Sequence, residues 1–255
     1  MTNNEEFKFQ RARYQLRSTL EDCGIKDPRG LRLLEVGFKE GLFLQVCRQA
    51  GIEAVGLEVQ PDYYKNVHLR QPELELILYD GNHIPLSDAS FDIIVSYQVL
   101  EHVGSLETTL AECVRLLKPG GIMYHVVPNY RSFYEGHYKV FWWPFLNQTT
   151  GRWYLKLLRK YTPYYETLNI VKPKHLRRMM AAYSDKVNIL SLGKAEFQKR
   201  FTSEQISKVG QPFLRKILEG IHTVPCLKKI FLTTIRASGM YYPLTLIAAK
   251  NPIKS

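Results

Sequence analysis

Cysteine is scarce and scattered. Cys23, Cys47, Cys113 and Cys226 are the whole complement of a 255-residue chain, and no two of them form a C-x-x-C pair. That excludes a disulfide framework and a thiolate metal site of ordinary spacing. Three of the four fall in apolar helical patterns and are expected as buried, reduced thiols of a cytoplasmic protein. The seven histidines show no metal-ligand spacing either, so no metal site is expected. No run of about eighteen apolar residues occurs, which argues against a membrane-spanning helix. The opening Met1-Thr-Asn-Asn-Glu-Glu6 is polar and acidic, unlike a secretory leader. There is no internal repeat and no low-complexity tract. Acidic residues are in deficit: 24 against 35 Lys and Arg, a formal charge of +11. The cations gather at 152–160, 172–178 and 194–200, a field that suits nucleic acid, an anionic membrane face or a phosphorylated substrate, or else simply confers solubility. Hydrophobic content of 45% and charged content of 23% are those of a soluble globular chain long enough for one large domain, or one domain and a cap.

What is present is a series of short apolar runs, each ending in turn residues. Leu31-Arg-Leu-Leu-Glu-Val-Gly-Phe-Lys-Glu-Gly41 reads as a buried strand entering a glycine-bearing turn, with the next helix over Leu42 to Ala50. Glycine lets a backbone approach a nucleotide-like ligand, and the new helix offers unpaired N–H groups to it. Ala54-Val-Gly-Leu-Glu-Val59 is a second strand, ending on Glu58 about twenty residues past Gly37, where nucleotide-binding α/β folds place an acid for the ribose hydroxyls. Leu74 to Gly81 is a third strand, closing on Asp80-Gly81. A fourth, Phe91 to Gln98, runs into Val99-Leu-Glu-His-Val103, with Glu101-His102 opening a helix. That helix has apolar positions Leu106, Leu110, Cys113, Val114 and Leu117, and it stops at Lys118-Pro-Gly-Gly121 before a fifth strand, Ile122 to Val127.

This ordered set resembles the class I S-adenosylmethionine-dependent methyltransferases of the type 11-like group, which includes ubiquinone, menaquinone and small-molecule methyltransferases. The matching residues are Leu-Glu-Val-Gly-x-x-x-Gly (34–41), Val-Gly-Leu-Glu (55–58), Tyr-Asp-Gly (79–81), Ile-Pro-Leu-Ser-Asp-Ala-Ser-Phe-Asp (84–92), Val-Leu-Glu-His-Val (99–103) and Leu-Leu-Lys-Pro-Gly-Gly (116–121). They cover about the first half of the chain. The resemblance implies a doubly wound, Rossmann-like α/β sheet of seven strands with the last antiparallel, and S-adenosyl-L-methionine as cofactor. By the same resemblance Glu35, Gly37 and Gly41 frame the methionine part and Glu58 holds the ribose. Asp80 accepts from the adenine amino group, Gly81 and Asn82 flank the ring, and Tyr97 and Gln98 line the methyl-transfer centre. The chain departs from the family pattern at Phe38 and Lys39, where a small residue and a glycine are usual. Lys39 would either pair with the cofactor's carboxylate or crowd it, and a catalytically inactive cofactor-binding homologue is the alternative that follows.

Methyl transfer from a sulfonium needs alignment and exclusion of water more than acid–base machinery. His102 and His137 are the candidate bases, since imidazole titrates near neutrality; packing and capping of the turn is the competing role for Glu101 and His102. His137 lies in Pro128 to Tyr138, a polar, aromatic stretch at the sheet edge where open α/β folds bind ligands. With Trp142-Trp143-Pro144 it resembles the loop of bacterial methyltransferases of polysaccharide and lipopolysaccharide assembly. The expected acceptor is therefore a hydroxyl of a sugar or lipid-linked glycan, with RNA or a quinone-type small molecule as alternatives. Nucleic acid is disfavoured because no Asn-Pro-Pro-Tyr type of motif follows strand four. A nicotinamide oxidoreductase fits poorly, since the third glycine of G-x-G-x-x-G is missing.

The expected organisation is a cofactor-binding core with an amphipathic N-terminal helix (Ala12, Leu16, Leu20, Cys23) over 1–130. An acceptor loop and helical cap follow over 131–185, helical in two pieces divided at Thr162-Pro163. The last two strands, Lys186 to Leu192 and Tyr242 to Lys250, are separated by a helical insertion within 186–255. Trp142-Trp143-Pro-Phe145 and the basic, apolar 153–161 segment suggest peripheral contact with the inner membrane face.

Overall fold

The computed structural model describes residues 3–202, 206 and 212–252. Helix α1 (Asn3–Asp22) leads into β1 (Arg32–Val36), α2 (Leu42–Gln49), β2 (Glu53–Glu58), α3 (Pro61–Arg70), β3 (Glu75–Leu78), β4 (Phe91–Tyr97), α4 (Leu106–Leu116) and β5 (Leu117–Val127). A small hairpin, β6 (Tyr134–Glu135) and β7 (Val140–Phe141), then α5 (Gln148–Leu157), a 3-10 turn at Pro163–Thr167 and α6 (Pro173–Ala181) form the cap. The chain returns through β8 (Val187–Leu192), α7 (Lys194–Arg200), α8 (Pro212–Thr223), α9 (Pro225–Ser238) and β9 (Leu244–Lys250). Parts of the expected insertion, 203–205 and 207–211, lie outside the described residues.

The sheet order is β3-β2-β1-β4-β5-β9-β8, with β9 antiparallel to both neighbours and the pairs among β1 to β5 all parallel. The seven-stranded sheet with an antiparallel last strand is thus as the sequence implies. Its order reverses between β1 and β4, the switch point at whose strand ends open α/β sheets take ligands. Strand periodicity divides the core into two faces. Leu33, Ile93 and Val95 pack with Leu16 of α1 and Phe43, Leu44 and Cys47 of α2. Leu34, Ile94 and Met123 pack with Leu110 and Val114 of α4 and Leu176 and Met180 of α6. A third cluster, built on Tyr130, Trp142, Leu155 and Tyr165, is the cap's own core.

Several local expectations need correction. Lys118-Pro-Gly-Gly121 does not separate α4 from β5: the strand begins at Leu117 and bulges, so that its pairing jumps from Phe91–Leu117 to Ile93–Ile122. The Glu101-His102 pair does not open a helix. Ser105 caps α4 by accepting the Thr108 N–H at 3.1 Å. The preceding turn's carbonyls go instead to Asn169 of the cap, whose side chain donates to Leu100 (3.1 Å) and Val103 (2.8 Å) and whose N–H donates to Glu101 (2.8 Å). The aromatic run is divided, Trp142 being fully buried while Trp143 and Phe145 are exposed. All four cysteines are free; Cys47 and Cys113 are buried, Cys23 is half-buried and Cys226 is exposed. Among the described residues no helix is long and apolar enough to cross a membrane.

Candidate active site

The turn after β1 is shaped by two close approaches. Gly37 has φ +78°, and a Cβ there would stand 2.6 Å from Cγ2 of Val99. Gly56, in the middle of β2, leaves the space that Phe38 fills: a Cβ on Gly56 would meet Cδ1 of Phe38 at 2.6 Å and Cδ1 of Leu44 at 2.5 Å. A large residue is therefore accommodated at position 38 by turning into the core, where it is buried. Lys39 follows at φ +48°, its N–H donating to Oε2 of Glu58 at 3.2 Å and its side chain exposed. Gly41, also left-handed, starts α2 without a side-chain cap, so the first N–H groups of that helix face the turn.

Two buried carboxylates stand at the ends of neighbouring strands. Glu58 is held on Oε1 by the N–H groups of Val59 (2.9 Å) and Gln60 (3.1 Å) and on Oε2 by that of Lys39. Glu35 is buried with Oε2 lacking a hydrogen-bond partner among the described residues. Burial first, then the neighbouring Glu58 charge, pushes the Glu35 carboxyl up to about 8, against a smaller opposing pull from Lys39. At the rim Asp80 is exposed. Its Oδ1 accepts from the N–H groups of Asn82 (2.8 Å) and His83 (3.3 Å), bonds led by Asn82 that hold the carboxyl below its usual range. Gly81 continues the turn at φ +89°.

The residues after β4 diverge. Tyr97 was expected at the methyl-transfer centre, but its hydroxyl is taken up by α1, bonded to Thr19 Oγ1 and donating to the Gln15 carbonyl at 3.0 Å, while its ring meets Phe43 edge-on. Ile93 and Val95 of β4 face the α1–α2 layer, and Tyr97 continues that alternation. Gln98 is at φ +56° and lines a cavity of about 370 Å³. Glu101 and His102 of the following turn share that cavity with Pro128, Gly136 and His137 from beyond β5. Lys39 enters from the β1 loop, Tyr164 from the cap and Tyr242 from the approach to β9.

The fold thus joins the two candidate bases, which are 35 positions apart in the chain: their rings are perpendicular with centroids 5.2 Å apart. Burial, then the charge of His137, lowers His102 to about 4, so its imidazole is neutral at pH 7. His137 is raised, chiefly by the bond from Nδ1 to Oε1 of buried Glu135 at 2.7 Å. Burial raises Glu101 to about 7. Tyr164, Tyr242 and Glu135 were not singled out by the sequence. Glu135 carried the one usable signal, an acid two residues before a candidate histidine.

With this geometry in view, residues 34–125 match the family model described as a methyltransferase domain. The chain is 28% identical over 132 residues to a probable S-adenosylmethionine-dependent methyltransferase of Mycolicibacterium smegmatis, covering 52% of this chain and 49% of that one. It is 32% identical over 105 residues to a ubiquinone biosynthesis O-methyltransferase of Maricaulis maris, covering 39% and 41%. The matches span about half or less of these relatives' length. Among solved structures, an S-adenosylmethionine-dependent methyltransferase from Mesorhizobium loti superposes with a TM-score of 0.55 at 13% identity, covering 91% of this chain and 96% of that one. The cyclase SpnF superposes at 0.52 with 18% identity, covering 94% and 83%. The fold is therefore shared across different chemistries, and function has to be argued from the site.

Proposed function

We propose that this chain is an S-adenosylmethionine-dependent methyltransferase acting on a hydroxyl of a sugar or lipid-linked glycan. The observation that carries the cofactor half is the orphaned, buried oxygen of Glu35, set beside the backbone-held Glu58 and the close-packed Gly37. A cationic amino group would supply the donor that Glu35 lacks, and two ribose hydroxyls would complete the acceptor capacity of Glu58. On this reading Glu35, Gly37, Gly41 and Gln98 hold the methionine portion. Glu58 holds the ribose, and Asp80, Gly81 and Asn82 hold the adenine edge. The cofactor, when bound, supplies a methyl group on a sulfonium. The chain's own task is to seat the acceptor in line and keep water out.

The acceptor half rests on the cavity lining. Lys39, Gln98, Glu101 and the two histidines offer hydrogen bonds, and Tyr164 and Tyr242 offer aromatic faces, a combination suited to a polyhydroxylated ring. The Glu101 end of the cavity, bounded by His102 and His137, is where an acceptor hydroxyl would give up its proton. The relative from Maricaulis maris supports a second reading, a phenolic hydroxyl of a quinone precursor. For the lipid-linked form of the substrate, the exposed aromatics and cations of the cap would rest on an anionic membrane surface.

Calorimetry with S-adenosylmethionine and its demethylated product tests the cofactor half. Glu58→Ala should weaken binding by roughly 1–3 kcal/mol, the cost of leaving buried hydroxyls without a charged acceptor. Equal affinity of variant and parent would remove Glu58 from the site. Absence of binding by the parent would refute the whole reading. Transfer of labelled methyl to sugar nucleotides, lipid-linked sugars and quinone precursors then separates the acceptors.

A further inference from the structure

We propose that Glu101, His102 and His137 form a binding site for one divalent transition-metal cation of the manganese-to-zinc series, at the acceptor end of the cavity. One ligand atom from each of the three residues lies within 4.8 Å of the other two. Proximity alone would be weak ground, but Glu101 adds an independent observation. Its side chain is 0% exposed, and neither carboxylate oxygen has a hydrogen-bond partner among the described residues. Oε1 stands 3.7 Å from Nε2 of His102, beyond hydrogen-bonding reach. A buried carboxylate left in this state is costly, and a cation between it and the histidines removes that cost.

The supporting contacts point the same way. The Nδ1–H of His137 donates to Glu135 at 2.7 Å, and Glu135 is itself fixed by the Tyr138 N–H at 2.6 Å and the Tyr130 hydroxyl at 3.3 Å. Nδ1 of His102 faces the Tyr164 hydroxyl at 3.3 Å. Both imidazoles thus have an oxygen neighbour at Nδ1, and with the ring proton held there Nε2 is the nitrogen that would ligate a cation. Ligating histidines are oriented in this way, by a carboxylate or hydroxyl behind the ring. Two imidazoles and one carboxylate with open positions select a first-row transition ion; calcium and magnesium prefer oxygen alone, and cuprous ion prefers sulfur. Gln98 lines the same cavity. Lys39, the competing cation on the cavity wall, is exposed and makes no hydrogen bond to Glu101.

Such a cation would lower the pKa of an acceptor hydroxyl placed in an open coordination position, so that the hydroxyl releases its proton to water and the histidines serve as ligands rather than as proton acceptors. That role rests on the methyl-transfer reading; the binding site itself does not. The test uses the full chain without a histidine tag, chelator-treated and desalted, with neither cofactor nor acceptor. Manganese binding is followed by the loss of the free-ion electron paramagnetic resonance signal, and cobalt binding by its visible spectrum. One equivalent should bind and raise the melting temperature. Glu101→Gln, His102→Ala and His137→Ala should each weaken binding at least tenfold, and Glu135→Gln, which removes no ligand atom, 10- to 100-fold. His68→Ala, away from the site, should bind as the parent does. Circular dichroism establishes that each variant is folded; should Glu101→Gln fail to fold, the partly open His102 carries the test. Binding unchanged in the three ligand variants, or none by the folded parent at millimolar metal, overturns the site. Methyl transfer without metal binding would overturn this proposal and leave the methyltransferase reading intact.

Discussion

Gly37 and Val99 meet across the end of the sheet, so closely that a methyl group on Gly37 would lie 2.6 Å from one Val99 methyl and 3.1 Å from the other. The backbone at Gly37 is also left-handed, at φ +78°. Gly37→Ala should therefore cost about 2–4 kcal/mol, combining the left-handed penalty with overpacking. Val99→Ala in the same chain should recover the overpacking part and leave the conformational part. Urea unfolding of the two single variants and the double variant measures the coupling; strict additivity would mean that the contact does not constrain the turn.

Glu35 supplies a pH dependence whose sign is fixed. Its carboxyl moves from 4.5 to about 8 on folding, through burial first and Glu58 second. Between those values the folded chain holds a proton that the unfolded chain has released. Stability contributed by this group is therefore greatest at low pH, declines as pH rises through that window and levels off above about 8. Glu35→Gln should flatten the decline. On the proposed cofactor reading, a cationic amino group beside Glu35 should also expel the proton near pH 7, so the binding heat of the parent, but not of Glu35→Gln, should vary with the ionisation enthalpy of the buffer. A parent stability curve as flat as the variant's would show that Glu35 is charged in the unliganded fold.

Lys39 combines an unfavourable backbone with a well-placed side chain. At φ +48° it occupies a conformation that glycine adopts freely, and its N–H still reaches Glu58. Lys39→Gly should keep that hydrogen bond and stabilise the fold by about 1 kcal/mol. Cofactor affinity should stay within a few-fold, because Lys39 reaches Glu58 through its backbone N–H, which glycine keeps. Lys39→Met, which keeps the length and removes the charge, should raise KM for an anionic acceptor with little change in cofactor binding. A large gain in cofactor affinity for Lys39→Gly would identify the lysine as an obstruction and favour an inactive homologue.

The sheet was legible because its signals are local: runs such as Leu33 to Val36 and Ile93 to Val95 alternate between two buried faces, and glycine or an acid closes the first three strands. The candidate cofactor side draws on the same local signals, since Glu35, Gly37 and Glu58 sit at strand ends. The cavity was not legible. Tyr164 and Tyr242 reach it from the cap and from the approach to β9, and no spacing relates them to His102. Tyr97 misled because adjacency to Gln98 suggests a shared role, whereas strand alternation sends the two side chains apart. Phe38 looked like a misfit only while its partner, Gly56 on the next strand, was unrecognised. The turn at Glu101 read as helical because nothing nearby in sequence reveals that Asn169 takes its carbonyls.

The last prediction concerns the outer edge of the cap. Trp143 and Phe145 stack beside the β6–β7 hairpin, with ring centroids 5.9 Å apart, and Phe145 is 74% exposed. On α5, Trp153 and Leu157 lie one turn apart on the same face, 65% and 80% exposed. The Tyr154 hydroxyl donates to the Phe141 carbonyl at 2.8 Å, tying this helix to the hairpin. Lys156 lies over the Trp153 ring at 5.0 Å, so the apolar edge carries positive charge with it. Tryptophan and cationic side chains together favour an anionic interface, with an attraction that salt screens. In flotation with anionic vesicles, the chain should rise with lipid at low salt and stay behind at high salt. Replacing Trp143, Phe145 and Trp153 by serine should abolish the low-salt binding while leaving cofactor affinity unchanged, since all three lie outside the cavity. Salt-insensitive or absent binding, together with full activity on a soluble sugar nucleotide, would sink the membrane contact.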